Sequence, residues 1–255
     1  MVPTSINKER DAMNHDAMLK ELDELYIEYN DTTEFGDYTI KIEHDDMNEE
    51  SPRDWDNLGK MICWHGNYNL GDYKDNNYKN PDNFMHSLSG LYEDELTDYL
   101  EQDQIDKCYE VAHQKNIILP LYIYDHSGIT MRTTGFSCPW DSGQVGYIYI
   151  SLEDVRKEYG WKRITKKRWA QIEKYLTGEV ETYDMYLTGS VYGFTIEKGE
   201  DEEHVDSCWG FYGYYTDDNG YMLSVIKNAI KYDIEHTPQQ TDISFPEPLQ
   251  MEMMA

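Results

Sequence analysis

The chain has 255 residues and 30.1 kDa, enough for one large domain or two small ones, since single cores stop growing at roughly 250 to 300 residues. Fifty Asp and Glu against 22 Lys and Arg give a formal net charge of -28. That balance argues against nucleic acid, polyanions or anionic membrane as direct partners and favours a cationic surface, such as the nucleic-acid-binding surface of another protein.

The opening residues show no apolar run after their charges, and no window approaches 18 consecutive apolar residues, so neither a signal peptide nor a membrane span is expected. Cysteines at 63, 108, 138 and 208 form no CxxC pair, which fits a reduced, cytoplasmic setting. Residues 8 to 29 place Met13, Ala17, Leu22, Leu25 and Tyr26 at helical intervals, which predicts an acidic amphipathic helix within an N-terminal segment 1–36. A main domain over 37–236 follows, and 237–255, with three prolines and no periodicity, reads as a tail.

Within the main domain, alternation predicts strands from Tyr38 to Glu43 and from Lys60 to Trp64. Pro81 to Lys115 reads as helix, N-capped by Asn80 and kinked near Ser89-Gly90, with an acidic face of Glu93, Asp94, Glu95, Asp98, Glu101 and Asp103. The apolar run Ile117 to Tyr124 predicts a central strand despite Pro120, followed by a turn at Asp125 to Gly128 and strands at 129–134 and 145–150, together an antiparallel meander. Ser151 and Asp154 start a helix to Tyr159, and another helix spans Thr165 to Leu176. Between Leu152 and Gly178 eight Lys or Arg face four Asp or Glu, and internal pairing with the acidic 92–110 helix is the less demanding reading of that surplus. Strands at 190–197 and 204–212 around an acidic turn, then a helix over 219–234, complete an α+β fold with a mixed or mainly antiparallel sheet.

Three cysteines sit beside or near tryptophan in polar, glycine-bearing stretches: Cys63-Trp64-His65-Gly66, Cys138-Pro139-Trp140-Asp141-Ser142-Gly143 and Asp206-Ser207-Cys208-Trp209-Gly210. With the turn Asp125-His126-Ser127-Gly128 they define a candidate pocket: His65, Asp125, His126, Ser127, Cys138, Trp140, Asp141, Ser142, Asp206, Cys208 and Trp209. Zinc lacks its paired ligand spacing, and buried thiols beside rings are the simpler reading. A hard-metal site could draw on Asp54, Asp56, Asp125, Asp141, Asp184 and Asp206 with His65 or His126, although aspartate is also a common turn residue. A nucleophile at Cys138 or Ser142 would need His126 within reach as base. The aromatic runs at 183–192 and 209–215 could stack a base or sugar, or simply pack. No catalytic role or cofactor is assigned.

Ser51-Pro52-Arg53-Asp54-Trp55-Asp56-Asn57-Leu58-Gly59, Leu119 to Gly128, Phe136 to Gly146, Gly178 to Asp184 and Asp206 to Gly213 resemble a family of uncharacterised proteins from bacteriophages and mobile elements. The resemblance covers about residues 37 to 213. It implies the cytoplasm of a bacterial host cell and an accessory role. Two functions follow as expectations. The first is a non-enzymatic, DNA-mimic-like inhibitor that meets the basic nucleic-acid-binding surface of a host defence protein through its acidic face. The second is a small-ligand-binding protein or metal-dependent hydrolase using the Cys/His/Asp pocket.

Overall fold

A computed structural model describes residues 17–27, 32–47, 50–73, 76–93, 96–213 and 220–236. In chain order the elements are helix α1 over residues 17–23, strands β1 (Thr32–Phe35), β2 (Tyr38–His44) and β3 (Lys60–Cys63), and helices α2 (Pro81–Ser89) and α3 (Gln102–Lys115). Then come β4 (Asn116–Asp125), β5 (Ile129–Arg132), β6 (Ser142–Ser151), α4 (Leu152–Tyr159), α5 (Lys166–Leu187), β7 (Val191–Lys198), β8 (Glu203–Tyr212) and α6 (Tyr221–His236). Short 3-10 turns lie at Pro52–Asp54 and Thr97–Tyr99. The architecture is α+β, with two antiparallel four-stranded sheets in the orders β1-β2-β7-β8 and β3-β6-β4-β5. The chain divides into two compact units, one of Glu43–Gly193 with Trp209–Tyr215 and one of Met1–Ile42, Phe194–Cys208 and Thr216–Ala255, so neither is continuous in sequence.

In the first of these units the sheet is covered on both faces, and the two-residue period of its strands decides which side chain goes where. Met61, Cys63, Ile117, Leu121, Ile123, Ile148 and Ile150 meet Val155 of α4 and Ile172, Leu176, Val180 and Tyr183 of α5. The alternate residues Ile62, Ile118, Tyr147 and Tyr149 meet Phe84 and Met85 of α2 and Ala112 of α3. Burying each such side chain stabilises by about 1.5–3 kcal/mol. Gly146 lies where β3 presses on β6, and a Cβ there would strike the Ile62 carbonyl oxygen.

Local chemistry corrects three sequence expectations. The helix expected from 81 to 115 is two helices. Asn80 caps α2 by accepting from Asn83 N at 2.8 Å, but Gly90 ends it in the left-handed region at φ 59, and α3 starts afresh behind its own capping box, Glu101 with Gln104. The expected meander is also replaced: β4 stands between β6 and β5, so the chain leaves the β4–β5 hairpin and returns on the opposite edge of β4. Pro120 pairs with Tyr147 ahead of the stretch that β5 covers, Tyr122 to Asp125. Finally, α5 does not stop at Leu176. Its buried stripe Ile172, Leu176, Val180, Tyr183 continues at helical spacing and carries the helix through Gly178 to Leu187.

In the other unit, β1 and β2 form a hairpin over Gly36, with Phe35 opposite Tyr38; β1 was not foreseen from its four mostly polar residues. Tyr38, Ile40, Phe194 and Ile196 are buried strand residues, and Met222, Ile226, Ile230 and Ile234 form a four-residue stripe along α6. Asp233 of α6 accepts from the Tyr38 hydroxyl at 2.7 Å and pairs with Lys198 at 2.5 Å. Of the N-terminal helix expected over 8–29, α1 ends at residue 23 and residues 24–27 are not helical, while residues 8–16 and 28–29, like the expected tail at 237–255, lie outside the described residues.

Candidate functional site

The three cysteine stretches meet different fates. Cys63 is a core residue whose thiol burial pushes up to about 12, with the Asp72 carboxylate adding to the shift. Trp64 packs edge-on to Phe84 and donates from Nε1 to Tyr78 O at 2.8 Å. His65 stacks on Tyr68 with centroids 5.0 Å apart and accepts from Asn67 N, beside a 490 Å³ surface cavity.

The second stretch does meet the Asp125 turn. Asp125 N donates to Asp141 O at 2.8 Å, which holds the start of β6 against the end of β4. Asp141 Oδ2 accepts from Cys138 Sγ at 3.6 Å and lies 3.7 Å from His126 Nδ1, and the Ser142 hydroxyl donates to Cys138 O. Ser127 takes a positive φ of 62 to close the turn, and Trp140 is 91% exposed. His126 and Asp141 are 64% and 40% exposed, so the group sits on the surface. Its thiol donates to a carboxylate and not to the imidazole, so the contact that a base-activated nucleophile requires is missing. Asp184, a candidate hard-metal ligand, instead accepts from Thr130 Oγ1 and Met131 N at 2.7 and 2.6 Å, tying α5 to β5. Among the described residues no three His, Cys, Asp or Glu side chains gather as a ligand set.

Asp206 and Cys208 lie on β8 in the other unit, where Asp206 accepts from Ser207 N at 2.8 Å and Cys208 is exposed. Trp209 covers the backbone of Gly193, where no Cβ would fit.

Of the acidic face, Asp94 and Glu95 lie outside the described residues. Asp98 pairs with Lys79 at 2.8 Å and Glu101 caps α3, while Glu93 and Asp103 are exposed. The fourteen residues of α3, about 21 Å of helix, carry Asp103, Asp106 and Glu110 against Lys107 and Lys115. Duplex DNA presents about twelve charges over that length. The basic stretch Arg156 to Lys174 does not pair with this helix. The two helices cover opposite faces of one sheet, and among the described residues none of the eight bases forms an ion pair.

The best-built concavity among the described residues was not foreseen as a site. Arg53, 4% exposed in its side chain, is clamped between two carboxylates: Nε and Nη2 donate to Asp72 at 2.8 and 3.1 Å, and Nη1 donates to Glu179 at 3.0 Å. Its remaining reach goes to Gly59 O at 2.7 Å. Burial opposes the guanidinium charge, but the bonds to Asp72 and Glu179 outweigh it and hold its pKa above the ordinary arginine value. Glu179 Oε1 also accepts from the backbone N–H of Leu58 and Gly59 at 2.7 and 3.1 Å, and Asp72 accepts from Met61 N at 2.8 Å. The Ser51 to Gly59 motif is thereby fastened to α5 and to the strand beneath it.

On one side of that loop lies a 290 Å³ hollow lined by Ser51, Asp54, Asp56 and Lys60. On the other is a 690 Å³ groove between the loop and α5, with Trp55, Asn57, Gln171, Lys174, Tyr175 and Gly178 in its walls and floor. Trp55 and Tyr175 are 44% and 50% exposed. A Cβ at Gly178 would meet nothing within 4 Å, so this mid-helix glycine has no packing partner to explain it. An interior glycine costs a helix about 1 kcal/mol, and that cost is the sequence signal that could have marked the groove. No family model, curated protein or solved structure matches the chain.

Proposed function

We propose that the protein is a non-catalytic accessory binding protein, of the bacteriophage or mobile-element setting its motifs resemble, and that its ligand site is the groove between the Ser51–Gly59 loop and α5. The observation that carries this reading is the groove's construction: two half-exposed rings on walls tied together by a buried ionic clamp, over an unpacked helical glycine. Preformed walls lower the ordering cost of binding, and a few polar groups among apolar surface are the usual composition of ligand sites. The cluster at His126, Cys138 and Asp141 lacks the thiol–imidazole contact and supports no competing enzymatic reading.

Nile red, a neutral planar dye whose emission shifts in apolar surroundings, tests the site. It should bind saturably near one equivalent, and Gly178→Leu, which fills the floor with a good helix former, should weaken it at least tenfold. Equal binding to the variant would remove the groove as the site.

A second reading, inhibition of a host nucleic-acid-binding protein through an acidic surface, is favoured by the turn between β7 and β8, where Glu200, Asp201 and Glu202 are exposed together with Glu203 at the start of β8. A purified histone-like DNA-binding protein is a suitable probe. Its complex with this protein should weaken about tenfold or more between 50 and 200 mM salt; an affinity indifferent to salt would end that reading.

A further inference from the structure

We propose that the groove takes a nucleotide, its base stacking against Tyr175 and Trp55 and its phosphate held by Lys174 and the cations around the start of α5. This rests on the groove being the binding site and names its ligand. Three observations lead there.

The first is a ladder of ring planes. Arg168 lies over Trp161 at 4.5 Å, Trp161 stacks on Tyr159 at 4.5 Å and 26°, and Tyr159 stacks on Tyr175 at 6.4 Å and 25°. Tyr175, half exposed, also lines the groove, and Trp55 lines the same groove. A purine or pyrimidine on Tyr175 would extend a stack the protein has already begun, and stacking of this kind contributes about 1–3 kcal/mol per base.

The second is charge. Lys162, Arg163, Lys166 and Lys167 are exposed, Lys174 faces the groove, and none of them makes an ion pair among the described residues, in a chain with more than twice as many acids as bases. The first turn of α5 holds no acid, so its lysines sit at the positive end of the helix dipole, where they are unfavourable for folding. A sequence shaped by stability alone would place acids there. The net charge of -28 does not cancel this patch, because at physiological salt charges more than about 8 Å away are largely screened. Within the groove wall, Glu179 shares the Arg53 cation with Asp72 and accepts from two backbone N–H groups, which reduces its opposition to a phosphate without cancelling it.

The third is access. Lys174, Tyr175 and Gly178 lie three and four residues apart on one face of α5, and the glycine leaves room for a ring to lie close to the helix backbone. An acidic peptide would use the lysines but has no need of exposed ring faces, so a nucleotide fits more of what is present.

The test is displacement of Nile red from the wild-type protein by adenosine 5′-monophosphate, by a 15-nucleotide oligo-dT and by poly-glutamate, at 50 and 200 mM salt. Displacement by the mononucleotide identifies a free nucleotide; displacement by oligo-dT alone identifies single-stranded nucleic acid; either supports the proposal. Lys167→Glu/Lys174→Glu should then weaken nucleotide binding at least tenfold and flatten its salt dependence. Poly-glutamate displacing as well as the nucleotides would overturn the proposal in favour of an acidic peptide. Nile red that binds in a Gly178-dependent way but yields to none of the three would overturn the nucleotide while leaving the groove intact.

Discussion

At the scale of single residues, Arg53 shows why a strongly acidic chain buries a base. Its guanidinium satisfies Asp72 and Glu179 together, and each carboxylate also collects backbone N–H donors. Glu179→Gln leaves Arg53 paired with Asp72 but sets an amide where the guanidinium and two backbone N–H groups now meet a carboxylate, and a buried donor left unsatisfied costs about 1–3 kcal/mol. The substitution should therefore lower the thermal midpoint by roughly 2–12 °C in a scanning calorimeter. The sequence displayed Arg53 and Glu179 plainly, but 126 positions separate them, and nothing local marks them as partners. The cysteines were legible only in part: the reading as buried thiols beside rings holds for Cys63, but Cys138 is partly exposed and Cys208 exposed, and Cys108 is buried. A maleimide should accordingly label Cys208 and Cys138 in the native protein and reach Cys63 and Cys108 only after denaturation, as mapped by peptide mass spectrometry; fast native labelling of Cys63 would contradict its burial.

At the scale of elements, α5 joins stability to binding. Because no atom approaches the Cβ position of Gly178, Gly178→Ala should stabilise the protein by about 0.5–1 kcal/mol in urea unfolding, even as it begins to close the groove. Lys166→Glu and Lys167→Glu should each add about 0.3–1 kcal/mol by matching the helix dipole. Stabilisation with loss of ligand in the same variants is the signature of a site kept against folding preference. Helix starts were readable from Asn80 with Pro81, and from Ser151 with Asp154, because a cap is a local hydrogen bond. The end of α5 was not, since a buried stripe extending past Gly178 outweighs one glycine, and only the sheet beneath reveals that burial. The order of strands around β4 was equally hidden: a hairpin and a crossing to the far edge both read as strand, turn, strand.

At the scale of the whole molecule, the charge of -28 acts on the folded state through self-repulsion. Raising sodium chloride from 10 to 300 mM should shift the urea midpoint upward with an unchanged slope, and a flat response would mean that the acids are compensated locally. Composition thus made the global field legible, but not the basic patch as an unpaired surface, because pairing across a sheet cannot be told from pairing on one face. The clamp around Arg53 has a further, kinetic consequence. Glu179 reaches back 121 and 120 residues to the N–H groups of Leu58 and Gly59, so these loop amides gain their acceptor only when distant parts of the chain have met. They should acquire protection from deuterium exchange late in refolding, and once protected they should exchange as slowly as strand amides, giving a loop the exchange record of a sheet.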